Sequence, residues 1–407
     1  MTTPAVGTGA AHRTRTGKRD TVTLRAAIVG TGSVATLHAR SLAAIDGVEL
    51  VAVADVMPGR AAEFAAEHAP AARAFESLDE LFAASEEADR IDVVHLCTPP
   101  GVHASQALAA FAHGAHVIAE KPPALSLAEL RSMTDAAAAA DRRFAVVFQQ
   151  RTGSAADQVK RLLDAGAFGR ALFATCNTLW YRDAEYYSVP WRGRWETEGG
   201  GTTLSHGIHQ IDLLAYLLGD WRQAQAQLWR QQRDVQTEDV STGTILFDSG
   251  TVASVATSVV SPRETSSIRI DTERATIEVD HLYGHGPENW RITPAPSVGE
   301  AEAASWAFTG EPVSSGHDAL LESVYRSLLA GDALPDVAAF PARALEIVTA
   351  FYASAREGRP IDRERVQTDA ALRGGLEAPV VDNRGLRGLR GDDPDPRRTD
   401  SPHPIDA

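Results

Sequence analysis

Cysteine is nearly missing from this chain. Its 407 residues hold only Cys97 and Cys176, too few for a disulfide framework and without Cys-x-x-Cys spacing, so a reducing compartment and two structural thiols are expected. Basic charge is also short: 39 Lys and Arg stand against 54 Asp and Glu, a formal net charge of −15. Such a surface argues against nucleic acid or an anionic membrane as the main partner and for a small molecule. No run of eighteen apolar residues occurs, and the first twenty residues lack an apolar h-region, so a soluble cytoplasmic protein is expected. His-Glu-x-x-His is absent, and His281 with His285 and His206 with His209 lack a coherent third and fourth ligand. No catalytic metal is expected.

What the chain does have is length and apolar content for more than one core, with 44% hydrophobic residues, so two domains are the natural expectation. Residues 1–22 and 383–407 lack apolar periodicity and read as disordered tails. Between them, apolar runs alternate with helical patterns: Leu24 to Val29, a helix to about Ile45, Val48 to Ala54, and a helix opened by Pro58. The alternation continues through Ile91 to Leu96, His116 to Ala119 and Phe144 to Phe148, predicting a doubly wound α/β domain over 23–148. Ser126 with Glu129 is a capping-box signature. After Gln150 the pattern changes. A helix over 155–163, a strand over 171–181 and a helix over 205–218 lead to two hairpins, 240–259 and 267–279. Pro341 and Gly358 bracket a last helix. The second domain, 149–362, is therefore expected to be α+β, a mostly antiparallel sheet with helices on one side.

Gly30-Thr31-Gly32-Ser33-Val34-Ala35 fits the G-x-G-x-x-G/A pattern after a strand and before a helix. Gly30 makes the tight turn, Gly32 admits a pyrophosphate, and Ala35 permits close helix packing, which predicts dinucleotide binding. Asp55, at the end of the second strand, is placed to accept from a ribose 2′-hydroxyl and repel a 2′-phosphate, favouring NAD; Arg60 keeps NADP open. Thr98 and Pro99 follow the fourth apolar run and should border the nicotinamide half of the crevice. Glu120-Lys121-Pro122 ends the next run, which puts a lysine where that crevice should open.

Hydride removal from a carbinol carbon requires the hydroxyl proton to leave and the developing alkoxide to be stabilised. Lys121 suits the second task, since a unit charge about 4 Å away is worth roughly 4 kcal/mol at an effective dielectric of 20. Ser205, His209 and Asp212 fall at i, i+4 and i+7, one polar stripe on the helix after the triple glycine. His209 is the proton-transfer candidate, and Asp212 is expected to position a substrate hydroxyl. Tyr181-Arg182 and Trp191-Arg192 precede Gly199-Gly200-Gly201; they either stack on and hold a sugar or base, or pack between sheet and helix.

Gly30-Thr31-Gly32 with His38, Asp55, Thr98-Pro99 with His103, Glu120-Lys121-Pro122, and the run from Gly199 through His209 to Asp212 together resemble the glucose-fructose oxidoreductase, inositol dehydrogenase and MocA (Gfo/Idh/MocA) family over residues 23–360. The resemblance implies a Rossmann domain and a large open sheet whose face makes subunit contacts, hence a homodimer or homotetramer. It also implies a lysine and a histidine at the reacting carbon, and His103 and Glu120 at the cofactor. The expected activity is NAD(P)-dependent oxidation of a secondary hydroxyl of a sugar, cyclitol or sugar derivative. Transient-redox NAD-dependent glycosidase or lyase chemistry and a non-catalytic NAD-binding sensor are the alternatives. Ser205 departs from the family pattern, which has an aspartate or asparagine there. Serine cannot stabilise an imidazolium as a carboxylate does, which leaves His209 a weaker base or moves proton transfer toward Lys121.

Overall fold

The computed structural model describes residues 23–84, 90–338 and 341–384; both sequence-predicted tails, apart from Asn383 and Arg384, lie outside these residues. The first half builds β1 (Leu24–Val29), α1 (Ser33–Ala44), β2 (Val48–Ala54), α2 (Arg60–His68), β3 (Arg73–Phe75), α3 (Leu78–Ala83), β4 (Val93–Leu96), α4 (His103–Ala112), β5 (His116–Ala119), α5 (Leu127–Ala139) and β6 (Phe144–Val146). The six strands run parallel in the order β3-β2-β1-β4-β5-β6. Both faces of this sheet are covered, which is why its strands read as unbroken apolar runs rather than alternating ones. Strand order reverses between β1 and β4, so a crevice opens beyond their carboxyl ends. Ser126 accepts from the Glu129 amide at 3.1 Å and starts α5, while the Glu129 carboxylate reaches back to Leu125 N.

The second half continues with α6 (Ser154–Asp164), β7 (Ala171–Tyr181), α7 (Thr202–Ser205), α8 (Ile208–Leu218), β8 (Trp221–Arg230), β9 (Val240–Phe247), β10 (Val252–Ser258), β11 (Val260–Thr272), β12 (Ala275–His281), β13 (Trp290–Pro294), α9 (Glu300–Ala304), α10 (His317–Ala330), α11 (Ala342–Glu357) and β14 (Ile361–Asp362). The large sheet has the order β13-β12-β11-β7-β10-β9-β8-β14, with β15 (Val381–Asp382) against β8. It is mostly antiparallel; the β7–β10 and β8–β15 pairs are parallel. In β7, Ala174, Cys176, Thr178 and Trp180 turn inward toward the helices, as a half-buried strand requires. Helix α8 is buried on nearly every side, between the large sheet and the helices and loops that face the Rossmann sheet.

The helix expected over 205–218 is two helices, α7 and α8, broken at His206–Gly207. A Cβ on Gly207 would crowd Thr257 Cγ2 of β10 at 2.5 Å, so only glycine fits where the chain passes this strand. Part of the stretch expected as the second domain, 149–362, packs on the Rossmann sheet. Helix α10 packs on α1, and Leu320, Leu321, Val324 and Tyr325 join the core of Ile28, Leu42 and Val53 on the Rossmann sheet. Among the described residues, no helix is long and apolar enough to cross a membrane.

Candidate active site at the Rossmann crevice

The glycine loop turns because Gly30 sits at φ +88°, where a Cβ would lie 2.8 Å from the Cys97 carbonyl oxygen. Gly32 is different: nothing lies within 4 Å of a Cβ there, and no side chain caps α1. The amino end of α1 therefore presents an open, uncapped surface of the kind that receives a pyrophosphate. Thr31 donates to Asp55 Oδ2 through its amide at 2.8 Å and its hydroxyl at 2.6 Å, and Met57 N donates to Oδ1 at 2.9 Å. Burial alone would push the Asp55 carboxyl up; these hydrogen bonds and Arg60 outweigh it and hold it below its usual range. An ionised carboxylate at the end of β2 suits a free ribose hydroxyl and not a 2′-phosphate. The Arg60 guanidinium donates to Thr31 O at 3.3 Å. The residues present fit NAD.

Thr98 and Pro99 follow β4, with Thr98 Cγ2 2.8 Å from where a Cβ on Gly30 would lie. His103 does not face the crevice. It is fully buried, with Nε2 2.7 Å from Thr98 O and Nδ1 3.1 Å from Pro122 O, so it braces the loops after β4 and β5 against each other.

Lys121 leaves the end of β5 and donates from Nζ to Ser205 O at 3.1 Å, joining the Rossmann crevice to α7. Burial lowers its pKa to about 8; Glu120 opposes this and Arg192 adds to it. His209 stands within electrostatic reach. It is buried with Nδ1 unpartnered, and burial first, then the Lys121 charge, keeps it well below the ordinary histidine range. Ser205 donates from its hydroxyl to Glu198 Oε1 at 2.7 Å. It reaches the site through the end of α7 and not through a stripe shared with His209.

Asp212 does not join them. Its two carboxylate oxygens accept from Arg151 Nε at 2.6 Å and Nη2 at 2.5 Å, deep in the core, so it holds an arginine rather than a substrate hydroxyl. Burial pushes this carboxyl up, against the pull of the Arg151 fork. Tyr181 also stays apart. Strand alternation turns it to the exposed face of β7 under Arg233, while Trp180 turns inward, its ring 5.3 Å from His206 and 6.5 Å from His209. Arg182 spans Glu264 and the Tyr283 hydroxyl, at 2.7 and 2.9 Å. Arg192 lies 3.8 Å over the Tyr186 ring and 4.3 Å over Trp191, and donates to the Tyr186 hydroxyl. Both arginines act electrostatically on Lys121 and His206.

The sequence falls into two matched stretches. Residues 24–148 match the oxidoreductase family, NAD-binding Rossmann fold, and residues 156–278 match the GFO/IDH/MocA C-terminal domain, together more than half of the chain. The chain belongs to the Gfo/Idh/MocA family. Among curated Gfo/Idh/MocA relatives, it is 32% identical to the D-glucoside 3-dehydrogenase of Escherichia coli K12, over 48% of this chain and 54% of that one. It is 28% identical to the inositol 2-dehydrogenase of Salmonella typhimurium, over 53% of this chain and 61% of the relative. The chain thus spans about half the length of the curated relatives it matches. In three dimensions it superposes on the WlbA dehydrogenase of Bordetella pertussis, solved with NADH and UDP-GlcNAcA, with a TM-score of 0.72 and 29% identity over 84% of this chain and 98% of that one.

Within this Gfo/Idh/MocA site several residues lie beyond the sequence reading. Trp180 could have been found from the side-chain alternation of β7, which turns it inward beside Thr178. Glu198 and Glu238 were not. Glu198 accepts from Ser205, and Glu238 accepts from Gly201 N at 3.1 Å and Thr203 N at 2.9 Å, holding the start of α7. His206 joins them through Tyr186, 3.1 Å from the hydroxyl. Each is a buried polar residue whose partner lies on another element, and neither spacing nor composition announces that.

Proposed function

We propose that this chain is an NAD-dependent dehydrogenase that oxidises a secondary hydroxyl of a sugar, cyclitol or related polyol. The observation that carries the reading is Lys121, a cation with its pKa lowered to about 8, at the end of β5 beside the Gly30 crevice and tied across to α7. When bound, NAD supplies the hydride acceptor. Lys121 holds the substrate oxygen and, with a pKa near working pH, takes its proton; general acid–base groups are most effective there. His209 is already neutral and sits in a cationic environment, which makes it the weaker base. It faces the same oxygen as a neutral hydrogen-bonding group. Trp180 supplies an apolar wall, and Arg182, Arg192 and Ser205 frame the polar side.

Relatives named for glucosides and inositol support a polyol substrate. The outer face of the large sheet exposes Phe173 and Val252, paired across β7 and β10. An apolar patch of this kind supports a homo-oligomer.

Replacing Lys121 by Ala tests the reading. Oxidation of every polyol substrate should fall by 10²-fold or more, the range of a lost acid–base group, while calorimetry gives unchanged NAD affinity. Equal loss of both would make Lys121 structural.

A further inference from the structure

Beside Lys121 lies a set of buried ionisable side chains linked by hydrogen bonds. The Tyr325 hydroxyl is 2.7 Å from His95 Nε2, His95 Nδ1 is 2.7 Å from His38 Nδ1, and His38 Nε2 is 3.1 Å from Glu120 Oε1. His317 Nε2 reaches the same Glu120 oxygen at 2.8 Å, and Glu120 Oε2 accepts from Lys121 N at 3.1 Å. Tyr325, His95 and His38 have no exposed surface, and Glu120 is 6% exposed.

Proton counting fixes the direction of every link. Burial would push the Glu120 carboxyl up, but the His317 and His38 hydrogen bonds outweigh it and keep it ionised, so both imidazoles carry a proton on Nε2. His38 and His95 are held neutral by burial, so each has one N–H. His38 Nδ1 is then bare and accepts from His95 Nδ1–H; His95 Nε2 is bare and accepts from Tyr325 O–H. All donors point toward Glu120. Both ends of this arrangement come from α10: His317 in its first turn and Tyr325 eight residues on, about 12 Å along the axis, some 200 residues after Glu120 in sequence.

We propose that α10 is a positioning element for the reaction assigned above: through His317 and Tyr325 it fixes the charge and orientation of Glu120, and Glu120 in turn sets the protonation of Lys121. His317, Tyr325, His95 and His38 are positioning residues, since they act only through Glu120. Other groups face the pair from neighbouring elements. Arg182, Arg192, Glu198 and His209 act on Lys121, and Cys97 and His103 lie on the Glu120 side. His38, Glu120 and His317 also stand close enough to share a cation; the separations of 2.8–3.1 Å are those of hydrogen bonds carrying a proton each.

The test is the pH profile of polyol oxidation in a double-mutant cycle. Glu120→Gln removes the anion that supports the Lys121 ammonium and should move the limb near pH 8 to lower pH, on the order of one unit. His317→Leu frees Glu120 to take up a proton and should move it the same way by less. The double variant should match Glu120→Gln alone, a non-additivity that a loss of packing would not produce. Additive shifts, or no shift in His317→Leu, would overturn the proposal. Nitrogen-15 NMR of the ring nitrogens in wild-type protein reads the chain without any activity. Protons on His38 Nε2 and His95 Nδ1 are expected; the opposite tautomers would overturn the inference even if the dehydrogenase reading stands, and the expected ones in a protein that oxidises nothing would leave the hydrogen-bond chain standing while the assigned reaction fails. A stoichiometric divalent metal in the purified protein, with the profile shifting on chelation, would make the three groups ligands and also overturn it.

Discussion

In the proposed mechanism Lys121 gathers into one side chain the tasks that a lysine and a histidine were expected to share. Its ammonium is the form present below about pH 8; oxidation needs the free amine and reduction needs the ammonium. The kcat/KM for oxidation should therefore rise with pH through about 8, and that for reduction should fall through the same value. Lys121→Arg should abolish both limbs, because a guanidinium does not titrate in this range. An oxidation rate that falls above pH 8 would return the lysine to a purely electrostatic role. Asp212 offers the opposite case, a residue that looked functional and is structural. Asp212→Ala strands a buried guanidinium and should cost about 3–5 kcal/mol of stability by chemical denaturation; a raised KM at unchanged stability would restore its place at the substrate. The glycine loop, Asp55 and Lys121 were legible because backbone chemistry and strand order dictate them. The Asp212 partner was not: Arg151 lies 61 positions away, and only the fold brings the two together.

Helix periodicity misplaced Ser205 for an equally physical reason. A wheel drawn through 205–218 assumes an unbroken axis, and the helix is interrupted at His206–Gly207, beside Thr257 of β10. The triple glycine before the break has its own cause. At Gly201 a Cβ would overlap the Glu238 carbonyl and carboxylate, and at Gly200 the Tyr352 hydroxyl. Gly201→Ala should accordingly destabilise the protein by about 1–3 kcal/mol, as overpacking does, and should weaken activity by shifting Ser205 O away from Lys121. Thermal unfolding and kcat together measure this, and an Ala variant with wild-type values for both would refute the packing argument. Strand β7 and the hairpins were readable from alternation. Strand β8 escaped because its inward positions include Ala224 and Ala226 and its outward ones Gln225 and Gln227, too little apolar contrast to mark a strand.

At the scale of the molecule, the two sheets meet at one crevice, and α10 crosses back to lock the Rossmann side of it. The chain order alone, with α10 far downstream, gave no sign of that return; the core of Tyr325, Leu321 and Val324 against α1 and β1 makes it. Specificity for the cofactor belongs here too. Asp55→Ala should weaken NAD and narrow its advantage over NADP by about tenfold, read from the two Kd values; an unchanged ratio would mean that Asp55 only shapes the Thr31 turn. The deciding experiment follows purified protein, given NAD, at the absorbance of reduced nicotinamide across inositols, aldoses, glycosides and nucleotide sugars. Accumulation of reduced cofactor in step with ketone product, absent in Lys121→Ala, is the predicted result. Product without net reduced cofactor, or tight NAD binding with no oxidation of any polyol, would contradict it.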